Sequence, residues 1–134
     1  MTTVLENMHA LAKAYRARAY APYSTFFVGA VVKGANGKLY GGCNVENIAY
    51  PVGNCAEVSA ISAMIADGET RIAEALVMGP EGDLCTPCGA CRQRLREFAG
   101  DDLLIHMADP GGIRKTVTLG ELFPLSFGPA ILKK

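Results

Sequence analysis

Three cysteines and one glutamate stand at spacings that could build a metal site. Cys55 and Glu57 are separated by one residue, and Cys88 and Cys91 follow downstream in a Pro-Cys-Gly-Ala-Cys run. Three thiolates can hold Zn²⁺ and leave its fourth position open for water, as in catalytic rather than structural zinc sites. A carboxylate that is not a ligand can then move that water's protons. The spacing predicts a catalytic zinc centre with Cys55, Cys88 and Cys91 as ligands and Glu57 as the catalytic residue.

One alternative for part of this set is a redox site. A Cys-x-x-Cys pair such as Cys88 and Cys91 is often a redox motif or half of a structural zinc knuckle, and a glutamate near a helix start often only complements the helix dipole. A redox pair, however, gives no role to Cys55 or Glu57. The four residues together therefore favour a catalytic metal site.

A closed structural zinc site with four cysteines is the other alternative. It would need Cys85, which stands three residues before Cys88, or Cys43 as the fourth ligand. The residues before Pro87 are not expected to be helical, because a proline disfavours the helical conformation of the residue that precedes it. We therefore expect Cys85 to lie on an extended approach, away from the helix face that carries Cys88 and Cys91.

The segment that carries Cys88 and Cys91 is typical of an amphipathic helix over residues 88–99. The two cysteines stand three residues apart and so share one helix face. Leu95 and Phe98 continue that face as a core stripe, while charged and polar side chains occupy the other faces. Cys88 is therefore expected in the first turn.

A second helix is predicted over residues 55–67, after Asn54 as a good N-cap and before an Asp-Gly stop. Its predicted core stripe consists of Val58, Ile61, Ser62 and Ile65. Cys55 and Glu57 are then expected in the first turn. Because helix N-termini present free N–H groups and a positive dipole end, both helices would stabilise thiolates crowded around one ion.

The remaining pattern predicts an α/β fold. An amphipathic first helix covers Val4 to Tyr15, and an Asn36-Gly37 pair between two β-rich runs indicates a hairpin. The predicted strands are residues 27–33, 38–43, 73–78, 103–107 and 113–117. Strands separated by helices favour a central mixed sheet with helices packed on both faces.

Composition restricts the partners and the location. A chain of 134 residues, half of them hydrophobic, predicts a single domain over residues 1–134. A net charge of zero without a Lys/Arg cluster argues against a nucleic-acid polymer as partner. The first helix carries Arg and Lys on its outer face, so it is predicted to be neither a signal peptide nor a membrane span. Five cysteines without an export signal indicate a cytoplasmic location.

Further segments, outside the metal motif, agree with one family. They are Tyr23-Ser24-Thr25-Phe26-Phe27-Val28-Gly29-Ala30, Gly42-Cys43-Asn44-Val45-Glu46-Asn47, Ala49-Tyr50, Leu122-Phe123-Pro124 and Phe127. With the cysteine runs, they make almost the whole chain resemble the small three-cysteine cytidine deaminases. Cys55 stands where polynucleotide-editing relatives typically have histidine, which favours the branch that acts on free nucleosides. The resemblance implies the three-layer cytidine deaminase-like fold, with a mixed five-stranded sheet.

The resemblance also implies a reaction and roles for individual residues. The reaction is hydrolysis of cytidine and deoxycytidine to uridine and deoxyuridine, with release of ammonia, in pyrimidine salvage. Zn²⁺ would make a water molecule acidic, and Glu57 would pass protons to the ring N3 and to the departing ammonia. Asn44 and Glu46 match residues that bind the ribose 3′-hydroxyl. Phe26 matches an aromatic residue packed on the pyrimidine, and Phe127 matches one contributed by a neighbouring subunit of a homotetramer.

The chain departs from the family pattern directly after Glu57. Many family members have an arginine there that offsets the thiolate charge, whereas this chain has Val58. Arg92 is the nearest substitute in sequence.

Two other classes of protein would use the same cysteines: a deaminase of the same fold that acts on a cytosine-containing antibiotic, and a zinc module without catalysis. The Asn44-Val45-Glu46 run argues against the antibiotic deaminase.

Overall fold

The fold consists of five strands and four α-helices, and the computed structural model describes it for residues 3–133. The helices are α1 (Val4–Arg16), α2 (Ala56–Ala66), α3 (Gly89–Phe98) and α4 (Leu119–Leu122). The strands are β1 (Gly29–Gly34), β2 (Leu39–Cys43), β3 (Ile72–Met78), β4 (Leu104–Asp109) and β5 (Gly112–Thr118). Short 3₁₀ helices cover Tyr50–Val52 and Pro129–Ile131. None of the described helices is long and apolar enough to cross a bilayer.

The strands form one mixed sheet in the order β2-β1-β3-β4-β5. Strands β3 and β4 pair in parallel, and the chain between them passes through α3, as parallel neighbours require a crossover connection. The other three pairs are antiparallel. The predicted mixed five-stranded sheet is therefore confirmed.

Helices cover both faces of the sheet, which confirms the predicted three layers. On one face, Met8 and Ala12 of α1 pack against Leu76 of β3. On the other face, Met64 of α2 and Leu95 of α3 belong to a second buried cluster. Because successive strand residues point to opposite faces, neighbouring residues of β3 supply both clusters. The two cysteine-bearing helices consequently lie on the same side of the sheet.

Gly42 allows α2 to lie directly on the sheet. A Cβ atom at this position would come within 2.5 Å of the backbone nitrogen of Ala60 and within 2.8 Å of the Ser59 carbonyl carbon. The Ser59 hydroxyl also donates a hydrogen bond of 3.0 Å to the carbonyl oxygen of Cys43. These contacts set the height of α2 above β2, and therefore the position of the residues at its start.

The buried face of α2 differs from the predicted stripe. Ala60 and Met64 are fully buried, whereas Val58 is half-buried and Ser62 and Ile65 are exposed. The predicted stripe was therefore wrong except at its buried member, Ile61. The helix carries apolar residues around most of its circumference, so spacing alone did not identify the inner face. Small alanines face the sheet because the helix approaches Gly42 so closely.

The starts of both helices also differ from the prediction by one position. Cys55 is the N-cap of α2 and Cys88 is the N-cap of α3, with extended backbone at both residues. Neither lies in the first turn, where it was expected. As N-caps, the two cysteines stand beside the free N–H groups of the turn that follows.

Candidate active site

The three predicted metal ligands lie together. The sulfur atoms of Cys55, Cys88 and Cys91 are all within 4.8 Å of one another. The sulfurs of Cys55 and Cys88 are 3.9 Å apart. Cys91, in the first turn of α3, is fully buried, whereas Cys55 is half-buried and Cys88 is exposed. Two helix starts that meet at one point therefore bring together residues that are far apart in the sequence.

Cys85 and Cys43 stay outside this cluster within the part of the chain that the structure describes. The Cys85 side chain packs against Gly79, where a Cβ would come within 2.4 Å of the Cys85 Cβ. Burial raises the pKa of Cys85 to about 11, so its thiol keeps its proton at neutral pH. The described geometry does not support the closed four-cysteine alternative.

The three sulfurs suit a divalent cation. The Cys91 thiol interacts with Cys55 and lowers the pKa of Cys55 below the ordinary range, while the same interaction raises the pKa of Cys91. The sulfurs are thus close enough to share protons, and a metal ion could replace those protons. Thiolates are the preferred ligands of zinc, and their positions at helix starts reduce the repulsion among them. The donor set therefore fits the predicted Zn²⁺.

Glu57 is a buried carboxyl group beside the cysteines. It lies in the first turn of α2 and is 5% exposed. Burial raises the pKa of Glu57 to about 7, and the nearby Cys55 contributes in the same direction. A carboxyl group with a pKa near neutrality can both accept and donate a proton at physiological pH. Glu57 is therefore suited to the role that the sequence predicted.

A cavity of about 530 Å³ connects Glu57 with three of the four predicted nucleoside-binding residues. Phe26, Asn44 and Glu46 line it together with Cys55 and Glu57. This volume is within the usual range for sites that bind small molecules. Residues from two loops and two helix starts thus line one space in which a small substrate fits beside the predicted metal ligands.

Asn44 holds the loop that carries Phe26. The Asn44 side-chain oxygen accepts a hydrogen bond of 2.9 Å from the Val28 N–H group, and its amide nitrogen donates one of 2.8 Å to the Phe26 carbonyl. Phe26 is 42% exposed, so its ring is accessible at the cavity. The role of Asn44 in positioning this loop was not predicted.

Glu46 holds the same loop from the other end. Its carboxylate accepts hydrogen bonds from the N–H groups of Tyr23 and Ser24, at 2.9 and 3.1 Å, and from the Ser24 hydroxyl. The Ser24 hydroxyl holds the pKa of Glu46 below its ordinary value, so the carboxylate is charged at neutral pH. Val45 forms bridges with Tyr20 and Asn54, which keeps the segment extended. Asn44 and Glu46 therefore reach the same loop, as their alternate spacing predicts.

Phe127 does not line the cavity of its own chain. It is 58% exposed, and its carbonyl oxygen accepts a hydrogen bond of 2.8 Å from the Gln93 side chain. This bond ties the C-terminal segment to α3. Its predicted contact with a neighbouring subunit's substrate stays a prediction.

The arginine that approaches the cysteine cluster is Arg94 and not Arg92, which corrects the sequence expectation. The Arg92 guanidinium donates to the backbone carbonyls of Pro87 and Leu122, at 2.9 and 2.7 Å. An Arg94 guanidinium nitrogen lies 3.6 Å from the Cys91 sulfur. Helical spacing could have indicated Arg94, because it follows Cys91 by three residues and shares its face.

Comparison with known proteins identifies the family. Residues 2–107 match the family described as the cytidine and deoxycytidylate deaminase zinc-binding region. The chain belongs to the cytidine and deoxycytidylate deaminase family. A cytidine deaminase of Sporosarcina psychrophila is 39% identical over 124 residues, which cover 92% of this chain and 90% of that protein. A cytidine deaminase of Mycobacterium tuberculosis H37Rv is 40% identical over 113 residues, which cover 84% of this chain and 80% of that protein.

Solved structures of the family have the same fold. The crystal structure of cytidine deaminase from Burkholderia pseudomallei aligns with a TM-score of 0.85 at 38% identity and covers 95% of this chain and all of that one. The structure of the Mycobacterium leprae cytidine deaminase aligns with a TM-score of 0.78 at 39% identity, over 92% of this chain and 99% of that one. Family membership thus extends across the fold and the cysteine motif.

Proposed function

We propose that this chain is a zinc-dependent enzyme that hydrolyses cytidine and deoxycytidine to uridine and deoxyuridine, with release of ammonia, in pyrimidine salvage. The observation that carries the proposal is a cluster of three cysteine sulfurs beside a cavity of about 530 Å³ that Cys55, Cys88 and the buried Glu57 line. The names of the relatives at 39 and 40% identity support cytidine as a substrate.

The three cysteines and Glu57 have separate roles in the proposed reaction. Cys55, Cys88 and Cys91 would hold Zn²⁺, which supplies the Lewis acidity that makes a water molecule acidic near neutral pH. Glu57 accepts a proton from the attacking water and delivers it to N3 of the pyrimidine ring. It carries the second proton of that water to the amino group at C4, which leaves as ammonia. The buried position of Glu57 keeps bulk water away from these transfers.

The other cavity residues orient the substrate. Phe26 offers an aromatic surface to the pyrimidine, at the end of a loop that Asn44 holds in place. Asn44 and Glu46 line the same cavity and offer polar atoms to the ribose 3′-hydroxyl. A nucleoside has both an aromatic base for Phe26 and a sugar for Asn44 and Glu46.

We also propose a cytoplasmic homotetramer whose active sites are shared between subunits. Among the described residues, exposed apolar side chains are numerous near the C-terminus, including Leu125, Phe127 and Leu132. Large exposed apolar surfaces are typical of contact with another subunit. Sedimentation velocity measures the number of subunits in the assembly. A fully active monomer would contradict the proposed homotetramer.

One assay tests the reaction. The absorbance of cytidine is followed with the purified enzyme, with enzyme treated with a chelator, and with treated enzyme to which zinc is returned. We expect activity to be lost with the metal and recovered with zinc. A panel of cytidine, deoxycytidine, deoxycytidylate, free cytosine and a single-stranded oligonucleotide defines the substrate class. Absence of cytidine turnover in a protein that holds one zinc ion per chain would contradict the proposed function.

A further inference from the structure

Arg94 is in direct contact with the cysteine cluster. It lies on α3, three residues after Cys91, and its guanidinium is 3.6 Å from the Cys91 sulfur. This distance is appropriate for an N–H group that donates to sulfur, whose radius exceeds that of oxygen. The residue as a whole is exposed, yet the end of its side chain lies against a fully buried cysteine. The contact therefore joins a charged group to the least accessible of the three predicted ligands.

The predicted zinc centre needs a cation near it. Three thiolates carry one more negative charge than Zn²⁺ neutralises, so the loaded centre has a net negative charge. Two other arginines donate to backbone carbonyls instead: Arg92 to those of Pro87 and Leu122, and Arg16 to that of Phe27 at 2.9 Å. Among the hydrogen bonds of residues 3–133, the basic side chain that reaches a cluster sulfur is that of Arg94.

Helices α2 and α3 each place a side chain three residues after a cysteine of the cluster. Arg94 follows Cys91 by three residues on α3, and Val58 follows Cys55 by three residues on α2. Side chains at this spacing are neighbours on a helix surface. The position on α2 that could hold a cation next to the sulfurs is therefore occupied by an apolar side chain. The cation lies instead on α3.

On the basis of the proposed function, we propose that Arg94 is a positioning residue of the zinc centre that stabilises the negatively charged three-thiolate complex through the Cys91 sulfur. A positive charge next to the loaded centre offsets its net negative charge and so favours the zinc-bound state. A hydrogen bond to the sulfur also withdraws electron density from the thiolate, so that the metal remains a strong Lewis acid. The first effect predicts tighter zinc binding, and the second predicts faster turnover.

Metal binding tests this inference independently of turnover. Arg94→Met removes the charge and keeps a long side chain that favours a helix. We expect zinc affinity, measured by competition with a chromophoric chelator, to fall roughly tenfold, the effect of one charge-assisted hydrogen bond. In the cobalt-substituted protein, the thiolate-to-metal charge-transfer band should move to longer wavelength. The kcat should fall severalfold with KM unchanged, because Arg94 does not line the cavity.

Three variants make the comparison specific. Arg71→Met is the matched control, because Arg71 is exposed and remote in sequence from the cysteine runs, and it should behave as the unaltered protein. Arg94→Lys keeps the charge but not the fork geometry and should have intermediate zinc affinity. The double variant Val58→Arg with Arg94→Met moves the cation from α3 to α2 and should recover most of the lost affinity. A role of Arg94 in helix stability alone would not be rescued in this way.

The outcomes separate this inference from the proposed function. A folded Arg94→Met protein with unaltered zinc affinity and an unaltered cobalt spectrum would overturn the role of Arg94, even with cytidine turnover intact. Arg94→Gln, measured in the same way, decides the matter where the methionine variant does not fold. A loss of zinc affinity in a protein that never deaminates cytidine would support the role of Arg94 and contradict only the proposed function.

Discussion

Glu46 accepts a hydrogen bond from the backbone N–H group of Ser24, at 3.1 Å, across 22 residues of sequence. The Ser24 hydroxyl donates to the same carboxylate. This relationship gives Glu46 a structural task in addition to the proposed contact with the ribose, because the loop that it holds also carries Phe26. The proposed sugar contact would therefore be coupled to the placement of the aromatic ring through one carboxylate.

Glu46→Gln should weaken substrate binding more than turnover. The substitution keeps the shape but removes the charge and one of the acceptor atoms used by the loop. We expect the KM for cytidine to rise at least roughly tenfold, as expected for a lost charged hydrogen bond, with a smaller change in kcat. Ser24→Ala is the control, because it loosens the loop but keeps the carboxylate. Equal KM values for the two variants would show that Glu46 acts only through the loop.

Glu57→Gln should abolish most of the turnover and retain the metal. Glutamine keeps the size and the hydrogen-bonding reach of the side chain but cannot carry a proton between the reacting groups. We expect kcat to fall at least roughly 10²-fold, which is the usual contribution of general acid–base catalysis. Elemental analysis should find the same zinc content as in the unaltered protein. Near-normal turnover in the zinc-loaded variant would mean that another group moves the proton.

Cys88→Ser and Cys85→Ser should have opposite effects on metal content. Cys88 belongs to the sulfur cluster, whereas the Cys85 thiol has a pKa of about 11 and packs against Gly79. We expect the Cys88 variant to lose most of its zinc and the Cys85 variant to retain it. X-ray absorption of the unaltered protein should show three sulfur ligands. Four sulfurs would restore the structural zinc module and contradict catalysis.

Gly42→Ala should destabilise the protein and impair the site. The added methyl group would meet backbone atoms of α2, which cannot move without displacing the helix that carries Cys55 and Glu57. We expect a loss of unfolding free energy of about 1–3 kcal/mol, typical of overpacking, measured by urea denaturation. Gly100→Ala is the control, because its Cβ would meet only a side-chain oxygen of Asp102, at 3.4 Å. Equal stability of both variants would show that α2 is not seated on Gly42.

Asp109→Asn should reduce the acid sensitivity of folding. The Arg114 side chain donates to Asp109 at 2.9 Å and lowers the pKa of that carboxyl group to about 2 in the folded protein. An unfolded aspartate has a pKa of about 4, so the stabilisation is present above that pH and is lost as the pH falls toward 2. Denaturation between about pH 5 and 2.5 should show a shallower decline for the variant than for the exposed-site control Asp102→Asn. Identical slopes would refute the assignment.

Much of the fold was readable from residue patterns. The hairpin followed from the Asn36-Gly37 pair between two β-rich runs, and the mixed sheet followed from strands separated by helices. The short helix α4 was not predicted, although Thr118 and Glu121 form a capping box whose spacing is visible in the sequence. Boundaries differed by a residue or two because caps, rather than periodicity, set the ends of helices.

The proposed chemistry of the site also rests largely on residue type and spacing. The sequence alone predicts Cys55, Cys88 and Cys91 as zinc ligands and Glu57 as the catalytic residue, because zinc chemistry restricts the ligands and the bound water needs a proton carrier beside it. Their actual proximity required the fold, since only packing on one face of the sheet brings two distant helix starts together. Residue types and spacing were sufficient to predict these four residues, but not the distances between their side chains.

Only the tertiary structure decided which residues of α2 are buried and which arginine contacts the cysteine cluster. The close approach of α2 to Gly42 decides which face of the helix is buried. The sequence could not predict that face, because apolar residues surround most of the helix. Two arginines lie near Cys91 in the sequence. Arg92 donates to the carbonyls of Pro87 and Leu122, whereas Arg94 donates to the Cys91 sulfur. Such choices depend on the positions of acceptors from remote segments, and local sequence does not encode those positions.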